Sequence, residues 1–564
     1  MVTEQEGSSF NLLTEPWVKV RSIDGVNEEV SLYHLFSHLD DYTDLGGESQ
    51  TQNFSILRLL QAIIIRGVRD ADEIDDTFTL GERWAYVRFA DLGSTTRRYL
   101  EKHADRFDLF DSVAPFYQVS DLRSMKDEVK PASTLVPDVG PQLFSTSTQE
   151  TSSELSPALA ARWLVRLHAY DTSGIKTGAV GDPRVKNGKG YGIGTGWLGA
   201  IGAVQIVGRN LRDTLVLNIP MTDLVVPQRE QFRDLPPWER KPDTAAPRDL
   251  DAQIPNGLVD LLTWQQRRVR LVPNAEGTAV THTVISNGDK IQVSNMFLDP
   301  STGYRYSKAQ SKGGVEVHFP RTHDAELTVW RGIQGIFEES AAEKEKGRKA
   351  PLLLGAEQDM SEELSRDFGG ETIGLRLIGA QYGTQDAILT GEIFDEIPVS
   401  MSLLLRHGAD MRRVAVRAVD RIMSFRGSMK WFLKQLLMCG GASPEDEPTG
   451  PVQAWLNALE KEFVQWLSTL SIGIDADEAD KQWRAIMWRV SAAEIRSAVE
   501  AAGPRAAVGR LEVNENGNKI LHSSARYEAW IMRKLGEMTG ARPTASANSR
   551  RDAKQNSNKE GAAS

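Results

Sequence analysis

The spacing of apolar residues predicts helices and strands in the first third of the chain. Residues 10–35 alternate apolar and polar side chains around Asp24-Gly25, which is typical of two short strands joined by a tight turn. Apolar residues then recur at helical spacing over residues 53–68, and residues 162–170 repeat that amphipathic pattern. This part of the chain is therefore expected to mix strands with helices.

Glycine-rich and strand-like segments follow. Ten glycines fall within the 29 residues from 174 to 202, where they are interleaved with lysine and arginine. Residues 211–218 and 267–272 are predicted to be strands, and residues 281–294 a strand pair around an Asn287-Gly288 turn. The first two-thirds of the chain is thus expected to be mixed α and β with long loops.

The last third has a helical pattern with few interruptions. Pro398 can occupy the first turn of a helix, which we expect to continue to about Cys439. Pro451 begins a second helix, and further helices are predicted over residues 477–501 and 520–538. The second helix has an apolar stripe at i, i+3, i+4, i+7 spacing, formed by Val452, Trp455, Leu456, Leu459, Phe463, Trp466, Leu467 and Leu470.

These patterns predict an α+β protein with two domains, since 564 residues exceed the length of a usual single core. A mixed α/β domain is expected over residues 1–395 and an antiparallel four-helix bundle over residues 396–539. Residues 540–564 lack aromatic and bulky β-branched side chains, so we expect a disordered tail.

Cysteine content and hydropathy restrict the environment in which the chain works. Cys439 is the single cysteine, which excludes a disulfide framework and a thiolate-rich metal site and favours a reducing cytoplasm. The first ten residues are acidic and polar, unlike a signal peptide. No apolar stretch approaches the roughly 18–20 residues that span a bilayer. A membrane partner is therefore not expected.

Positive charge is concentrated in two segments of an otherwise acidic chain. The net charge is −11, yet residues 162–212 hold eight Lys and Arg against two acidic residues. Residues 401–434 likewise hold eight against Asp410 and Asp420. Such segments favour local contact with a polyanion, although solvated surfaces balanced elsewhere would have the same composition.

Motifs for catalysis are missing from the sequence. There is no Walker A sequence, no His-Glu-x-x-His and no Gly-x-Ser-x-Gly elbow, and no Cys-x-x-Cys pair could hold zinc. Residues 194–199 match Gly-x-Gly-x-x-Gly without the preceding strand and following helix of a dinucleotide site. We therefore expect no enzyme and no cofactor. A non-catalytic protein–protein scaffold and a hydrolase using dispersed carboxylates remain as alternatives.

Several motifs occur in the order found in a known family. They are residues 10–20 (FNLLTEPWVKV), 114–118 (APFYQ), 167–170 (LHAY) before the glycine-rich loop, 209–215 (RNLRDTL) and 381–389 (QYGTQDAIL). In this order the chain resembles the CasA family, the large subunit of the type I-E CRISPR Cascade surveillance complex.

The resemblance implies a nucleic-acid-binding subunit. In that family the subunit reads the protospacer-adjacent motif (PAM) of double-stranded DNA from the minor groove and starts strand separation for R-loop formation. Its partners are the other Cascade subunits, the CRISPR RNA, the target duplex and a helicase-nuclease effector. Some members carry a cysteine cluster, but residues 273–283 here contain no cysteine, so no metal is expected.

The resemblance also assigns candidate site residues. DNA and PAM binding falls to the glycine loop, a minor-groove lysine and a glutamine wedge: Gly174, Lys176, Thr177, Gly178, Gly181, Lys290, Thr384, Gln385 and Asp386. The loop near the guide RNA falls on Phe144, Ser145 and Thr146.

A further candidate rests on spacing and charge alone. Arg413, Arg417 and Arg421 follow one another at i+4, so they share one face of the predicted helix. We expect this basic stripe to face nucleic acid, with a solvated helix face as the alternative.

Overall fold

The chain divides into two compact units, Met1–His407 and Gly408–Ser564. The computed structural model describes residues 9–137, 154–250, 253–324, 328–337, 351, 353–354, 360–443, 445–471, 473–513 and 519–541. Strands and helices both occur in quantity, so the fold is α+β. No helix within these described residues is long and apolar enough to cross a membrane.

The longest helices of the first unit lie in its amino-terminal half. They are α1 Leu32–Ser37, α2 Gln50–Ala71, α3 Leu80–Phe89, α4 Leu92–Glu101, α5 Pro157–Tyr170, α6 Leu211–Leu217, α7 Gln228–Gln231, α8 Leu258–Leu262, α9 Val329–Gly332, α10 Gln334–Phe337 and α11 Ser361–Phe368. Helix α2 is buried almost all round, and the Ser49 side chain caps its amino terminus by accepting from the Gln52 N–H. It forms the centre of this unit, against which α4, α5 and α8 pack.

The strands of this unit form small antiparallel sheets. They are β1 Val18–Ser22, β2 Asn27–Val30, β3 Tyr42–Leu45, β4 Lys130–Pro131, β5 Lys176–Thr177, β6 Lys189–Gly190, β7 Ala203–Val207, β8 Arg267–Pro273, β9 Val280–Asn287, β10 Tyr304–Tyr306, β11 His318–Pro320, β12 Thr372–Tyr382 and β13 Leu389–Ser400. The orders β2-β1-β3, β4-β9-β8 and β13-β12-β7 describe the three-stranded sheets. Lys290 follows β9 of the second sheet, the wedge lies between β12 and β13 of the third, and the glycine-rich segment forms a separate two-stranded sheet, β5-β6.

Local patterns predict several of these elements correctly and others wrongly. The hairpin around Asp24-Gly25, helices α2 and α5 and strand β8 all occur where they are predicted. Residues 211–217 are a helix rather than a strand, because the Asn210 side chain caps them by accepting from the Asp213 N–H. The predicted strand pair over residues 281–294 is also wrong: β9 ends at Asn287 and pairs with β8.

The second unit is dominated by long helices. Its elements are α12 Ala409–Gly440, α13 Thr449–Thr469, α14 Ala476–Ala501, α15 Gly503–Val508, β14 Arg510–Val513, β15 Lys519–His522 and α16 Ser524–Thr539. Helix α12 packs against α13, α14 and α16. The stripe predicted for α13 is buried in full, from Val452 to Leu470, because its apolar side chains form the contact with neighbouring helices.

The boundary between the predicted domains needs revision. Residue 395 lies inside β13, which continues through Pro398 to Ser400, and the helix predicted from Pro398 begins at Ala409 instead. Strand β13 is at the edge of its sheet, where a proline costs no ladder hydrogen bond. The predicted tail begins at Gly540, the C-cap of α16, and residues 542–564 lie outside the described residues.

Candidate nucleic-acid interface

The glycine-rich loop is a β-hairpin. Strand β5 pairs with β6 through Lys176↔Gly190 and Thr177↔Lys189. Toward its tip, Asn187 and Gly188 have φ angles of 54° and 71°. Two successive positive φ angles are what a tight hairpin turn requires, and Asn-Gly satisfies them at the least steric cost. The loop is therefore an ordered structure that presents the exposed side chains of Lys186 and Lys189.

Gly178 has a role in the packing of the hairpin. It is buried, and a Cβ at this position would lie 2.7 Å from the backbone carbon and oxygen of Gly188. The packing of the hairpin on itself therefore requires glycine here, and the approach of DNA at Gly178 stays a prediction. Gly181, by contrast, is exposed and has a φ of 91°, so it remains available at the surface.

Lys176 also lies inside the structure rather than on its surface. Its Nζ is 2.6 Å from Oδ2 of Asp171, and its side chain is 13% exposed. Burial lowers the pKa of Lys176 despite the attraction of this carboxylate. Burial would raise the pKa of Asp171, but Arg267 and Lys176 hold it below its ordinary value. The predicted DNA contact of Lys176 is thus replaced by an ion pair at the base of the hairpin, where Thr177 and Gly174 are half-buried.

Arg184 joins the hairpin to the segment that carries Lys290. Its guanidinium donates to the carbonyl oxygens of Gly288 (2.8 Å) and Asn287 (3.0 Å). The same group pairs with Asp182 at 2.9 Å. Gly288 and Asn287 lie two and three residues before Lys290, so the hairpin holds the backbone segment from which that lysine projects.

Lys290 is exposed, whereas the residues before it are buried. Asp289 pairs with Arg268 at 2.8 Å and with Arg248 at 2.7 Å. Burial favours a raised pKa for Asp289, yet the two guanidinium groups hold it below its ordinary value. A Cβ at Gly288 would lie 2.6 Å from the carbonyl oxygen of Gln265, so this position is packed against the neighbouring strand entry. Lys290 therefore follows a fixed strand end rather than a free hairpin turn.

The predicted wedge is the tip of the β12–β13 hairpin. Thr384, Gln385 and Asp386 are exposed and form a short 3-10 turn. Gln385 and Asp386 have φ angles of 58° and 53°, a region that costs non-glycine residues free energy and that often marks functional positions. The backbone N–H of Ser173 donates to the carbonyl oxygen of Asp386 at 2.8 Å. The wedge tip is thereby attached to the start of the glycine hairpin.

The base of the wedge hairpin is anchored in the core of the unit. The Tyr382 hydroxyl donates to the carbonyl oxygen of Tyr170 at 2.6 Å, and burial raises the pKa of Tyr382. Arg166 pairs with Glu392 of β13 at 3.2 Å. A mobile tip would lose conformational entropy when it bound a partner. This tip is already held in place from two sides.

Two adjoining cavities lie among these segments. One, of about 500 Å³, is lined by the wedge residues Gln381 and Asp386, by Ile291 and by Ile193. The other, of about 650 Å³, is lined by Arg184, Lys186, Tyr191, Ile193 and Asn287. Both include Ile193, so the glycine hairpin borders a continuous concave region next to the wedge.

The basic stripe of the second unit is not continuous. Arg413 and Arg417 are exposed, and Arg413 pairs with Asp410 three residues earlier. Arg421 is 18% exposed and pairs with Asp480 of α14 at 3.0 Å. Arg421 is therefore used between helices, and contact of the Arg413–Arg417 face with nucleic acid stays a prediction. Phe144, Ser145 and Thr146 lie outside the described residues.

The chemistry available at the first unit's site is binding chemistry. Lys186 lines one of these cavities, and Lys189 and Lys290 are exposed; exposed cations attract phosphates. Within the described ranges, no three His, Cys, Asp or Glu side chains are grouped so that they could hold a metal ion. His323 borders the cavity next to the wedge, and burial lowers its pKa.

Sequence reasoning missed features that a pattern could have revealed. Asn187-Gly188 is a strong hairpin signal that was obscured by the surrounding glycines. Arg184 could be recognised as basic but not as a clamp, because its acceptors lie about a hundred residues away in the sequence. Tyr191 is an aromatic residue among the loop glycines, and it is 53% exposed.

The chain is similar to known proteins over most of its length. The family described as CRISPR-associated protein Cse1 matches residues 11–493. The crystal structure of Thermobifida fusca Cse1 is 34% identical with a TM-score of 0.82, over 95% of this chain and 99% of that one. A chain of a CRISPR RNA-guided surveillance complex has the same fold, with 17% identity and a TM-score of 0.66 over 93% and 99%.

A curated relative supports the same assignment over part of the chain. CRISPR-associated protein CasA/Cse1 of Thermus thermophilus is 27% identical over 279 residues, or 48% of this chain. The match spans half of the length of that relative.

Proposed function

The chain belongs to the CRISPR-associated Cse1 family, and from this we propose that it is the large subunit of a type I-E Cascade complex. It reads the PAM in double-stranded DNA, starts strand separation and helps to recruit the helicase-nuclease. The observation that supports this proposal is a connected set of surface elements. Arg184 joins the glycine hairpin to the Lys290 segment, and the Ser173–Asp386 bond joins the hairpin to the wedge.

Recognition of the PAM, the short DNA tag beside the target sequence, falls to Lys290 and the exposed part of the glycine hairpin. A lysine is a flexible donor that reaches the acceptors shared by several base pairs on the minor-groove floor. That groove discriminates poorly among base pairs, so recognition of more than one tag follows. Sequence beyond the tag is read by pairing with the guide RNA rather than by protein.

Strand separation falls to Gln385. Its exposed planar amide stands at a strained tip that is held by the core, which suits insertion beside the first base pair after the tag. Unstacking one step costs roughly a few kcal/mol. A pre-ordered wedge pays little further entropy when it inserts.

The remaining partners follow from the family. We propose that the chain binds the other Cascade subunits and the CRISPR RNA, works in the cytoplasm and has no catalytic activity of its own. Residues 144–146 would lie near the guide RNA, and the long helices of the second unit would form the antiparallel four-helix bundle. Copurification of the chain with a small RNA and several further subunits tests this membership.

The decisive experiment measures affinity of the assembled complex for tagged and untagged duplexes at one fixed salt concentration. Lys290→Ala should lower the ratio of the two affinities, while Lys241→Ala, at an exposed lysine of the same unit, should not. A proportional loss of both affinities would identify Lys290 as a phosphate contact only. Gln385→Ala should impair binding to intact duplex more than to a duplex already melted after the tag, with Gln228→Ala as the matched control.

A further inference from the structure

An exposed aromatic ring stands in the cavity beside the glycine hairpin. Tyr191 is 53% exposed and lines the cavity of about 650 Å³ together with Lys186 and Asn287. A large apolar ring left in water at the rim of a basic concave region suggests a planar, anionic ligand. A volume of this size lies in the range of small-ligand sites, about 300–1,000 Å³.

The backbone around Tyr191 is held firmly. The carbonyl oxygen of Tyr191 accepts a hydrogen bond of 2.7 Å from Nδ2 of Asn287. Its neighbour Gly192 packs so closely on Ser173 that a Cβ there would overlap the Ser173 carbonyl oxygen. Ser173 in turn donates to Asp386 of the wedge. Tyr191 is therefore next in sequence to Gly192, which packs on Ser173, and Ser173 is hydrogen-bonded to the wedge tip.

The cavity also contains an unused acceptor. The side chain of Asn287 is in a residue only 3% exposed, and its Oδ1 has no hydrogen-bond donor among the described residues. A buried acceptor without a partner destabilises the fold. The amino group of a bound base would remove that cost. Lys186 lines the same cavity, and Lys189, its bridge partner in the hairpin, is exposed.

We propose that this cavity holds one unpaired nucleobase of the target DNA, stacked on the ring of Tyr191, as the strands begin to separate. The base is the one released next to the wedge, and Lys186 and Lys189 contact its flanking phosphates. Capture of the released base opposes re-pairing, so that melting at the wedge becomes progressive. This inference rests on the proposed function, since an unpaired base exists only if the wedge opens the duplex.

The test uses the assembled complex and duplexes with 2-aminopurine at the first three positions after the tag, one position and one strand at a time. Tyr191→Ala removes the ring, Tyr191→Phe keeps it, and Phe232→Ala removes a 70% exposed ring elsewhere in the same unit. At one position, fluorescence should be quenched by the wild type, by Tyr191→Phe and by Phe232→Ala, but not by Tyr191→Ala. Affinity for intact tagged duplex should fall about fivefold or more with Tyr191→Ala, the lower end of base–aromatic stacking.

Quenching that does not depend on the ring at any position, while Lys290→Ala still alters tag preference, overturns the base site and leaves the proposed function standing. A wild-type complex without tag preference refutes the proposed function and this inference with it. Equal thermal stability of the three variants and the wild type shows that the fold is intact.

Discussion

Removal of the Arg184 clamp should release the glycine hairpin from the Lys290 segment. Arg184→Ala deletes two hydrogen bonds to carbonyl oxygens and leaves Asp182, whose side chain is 1% exposed, without its cation. Hydrogen bonds to charged groups are worth about 1.5–3 kcal/mol each. The Arg184 side chain is 31% exposed, so solvent screens part of this, and we expect a local cost of ~2 kcal/mol.

Hydrogen exchange of the assembled complex measures this cost directly. A cost of ~2 kcal/mol corresponds to roughly thirtyfold faster exchange in peptides covering residues 176–190 and 287–290. Tag preference should fall with it, since Lys290 loses its fixed starting point. Arg229→Ala, at an exposed arginine of the same unit, removes the same charge without the clamp. If exchange is unchanged in Arg184→Ala, or tag preference survives while exchange rises, the hairpin does not position Lys290.

Other perturbations separate structural from binding roles. Gly178→Leu should expose the hairpin to limited proteolysis, because its side chain meets the Gly188 backbone, whereas Gly174→Ala, with no atom nearer than 3.6 Å, should not. Burial lowers the pKa of His168 to about 4. Between about pH 6.5 and pH 4 the unfolded state therefore binds more protons than the folded state. The free energy of unfolding should fall over this range as the pH drops, by up to ~3 kcal/mol. Urea unfolding at pH 7 and pH 5 should detect this change, and His168→Gln should reduce it. Arg421→Ala should destabilise the second unit by about 1–3 kcal/mol, because Asp480 loses this ion-pair partner. Arg417→Ala should destabilise it by no more than about 0.5 kcal/mol. Thermal unfolding of the two variants measures the difference.

Elements with a single clear periodicity could be predicted from the sequence. The stripe of α13 and the alternation around Asp24-Gly25 each encode one buried face, so the pattern and the packing agree. Helix α6 has no such face, since all but one of its residues are buried. An element buried all round looks the same as a buried strand, and only its Asn210 cap indicates a helix.

The boundary between the units shows how sheet position overrides a local signal. Pro398 is well suited to the first turn of a helix, yet it pairs with Gly374 in a strand. The strand accepts proline because it is the edge of its sheet. Strand β13 is an edge strand because β7 occupies the other side of β12. Strand β7 ends 165 residues before β12 begins. No local window contains that information.

The candidate interface depends on contacts of the same non-local kind. Sequence motifs place a glycine loop, a lysine and a glutamine in three separate segments, but they do not show what each side chain does. Lys176 and Gly178 satisfy needs of the fold, whereas Lys186, Lys189 and Tyr191 face solvent. Two hydrogen bonds join these three segments into one surface: Arg184 to Gly288, and Ser173 to Asp386. Each bond joins a backbone oxygen to a group more than a hundred residues away, so neither bond can be recognised from the side chain of the acceptor residue. The surface that holds Lys290 and the wedge in fixed register is thus built on main-chain acceptors, and local sequence patterns do not reveal them.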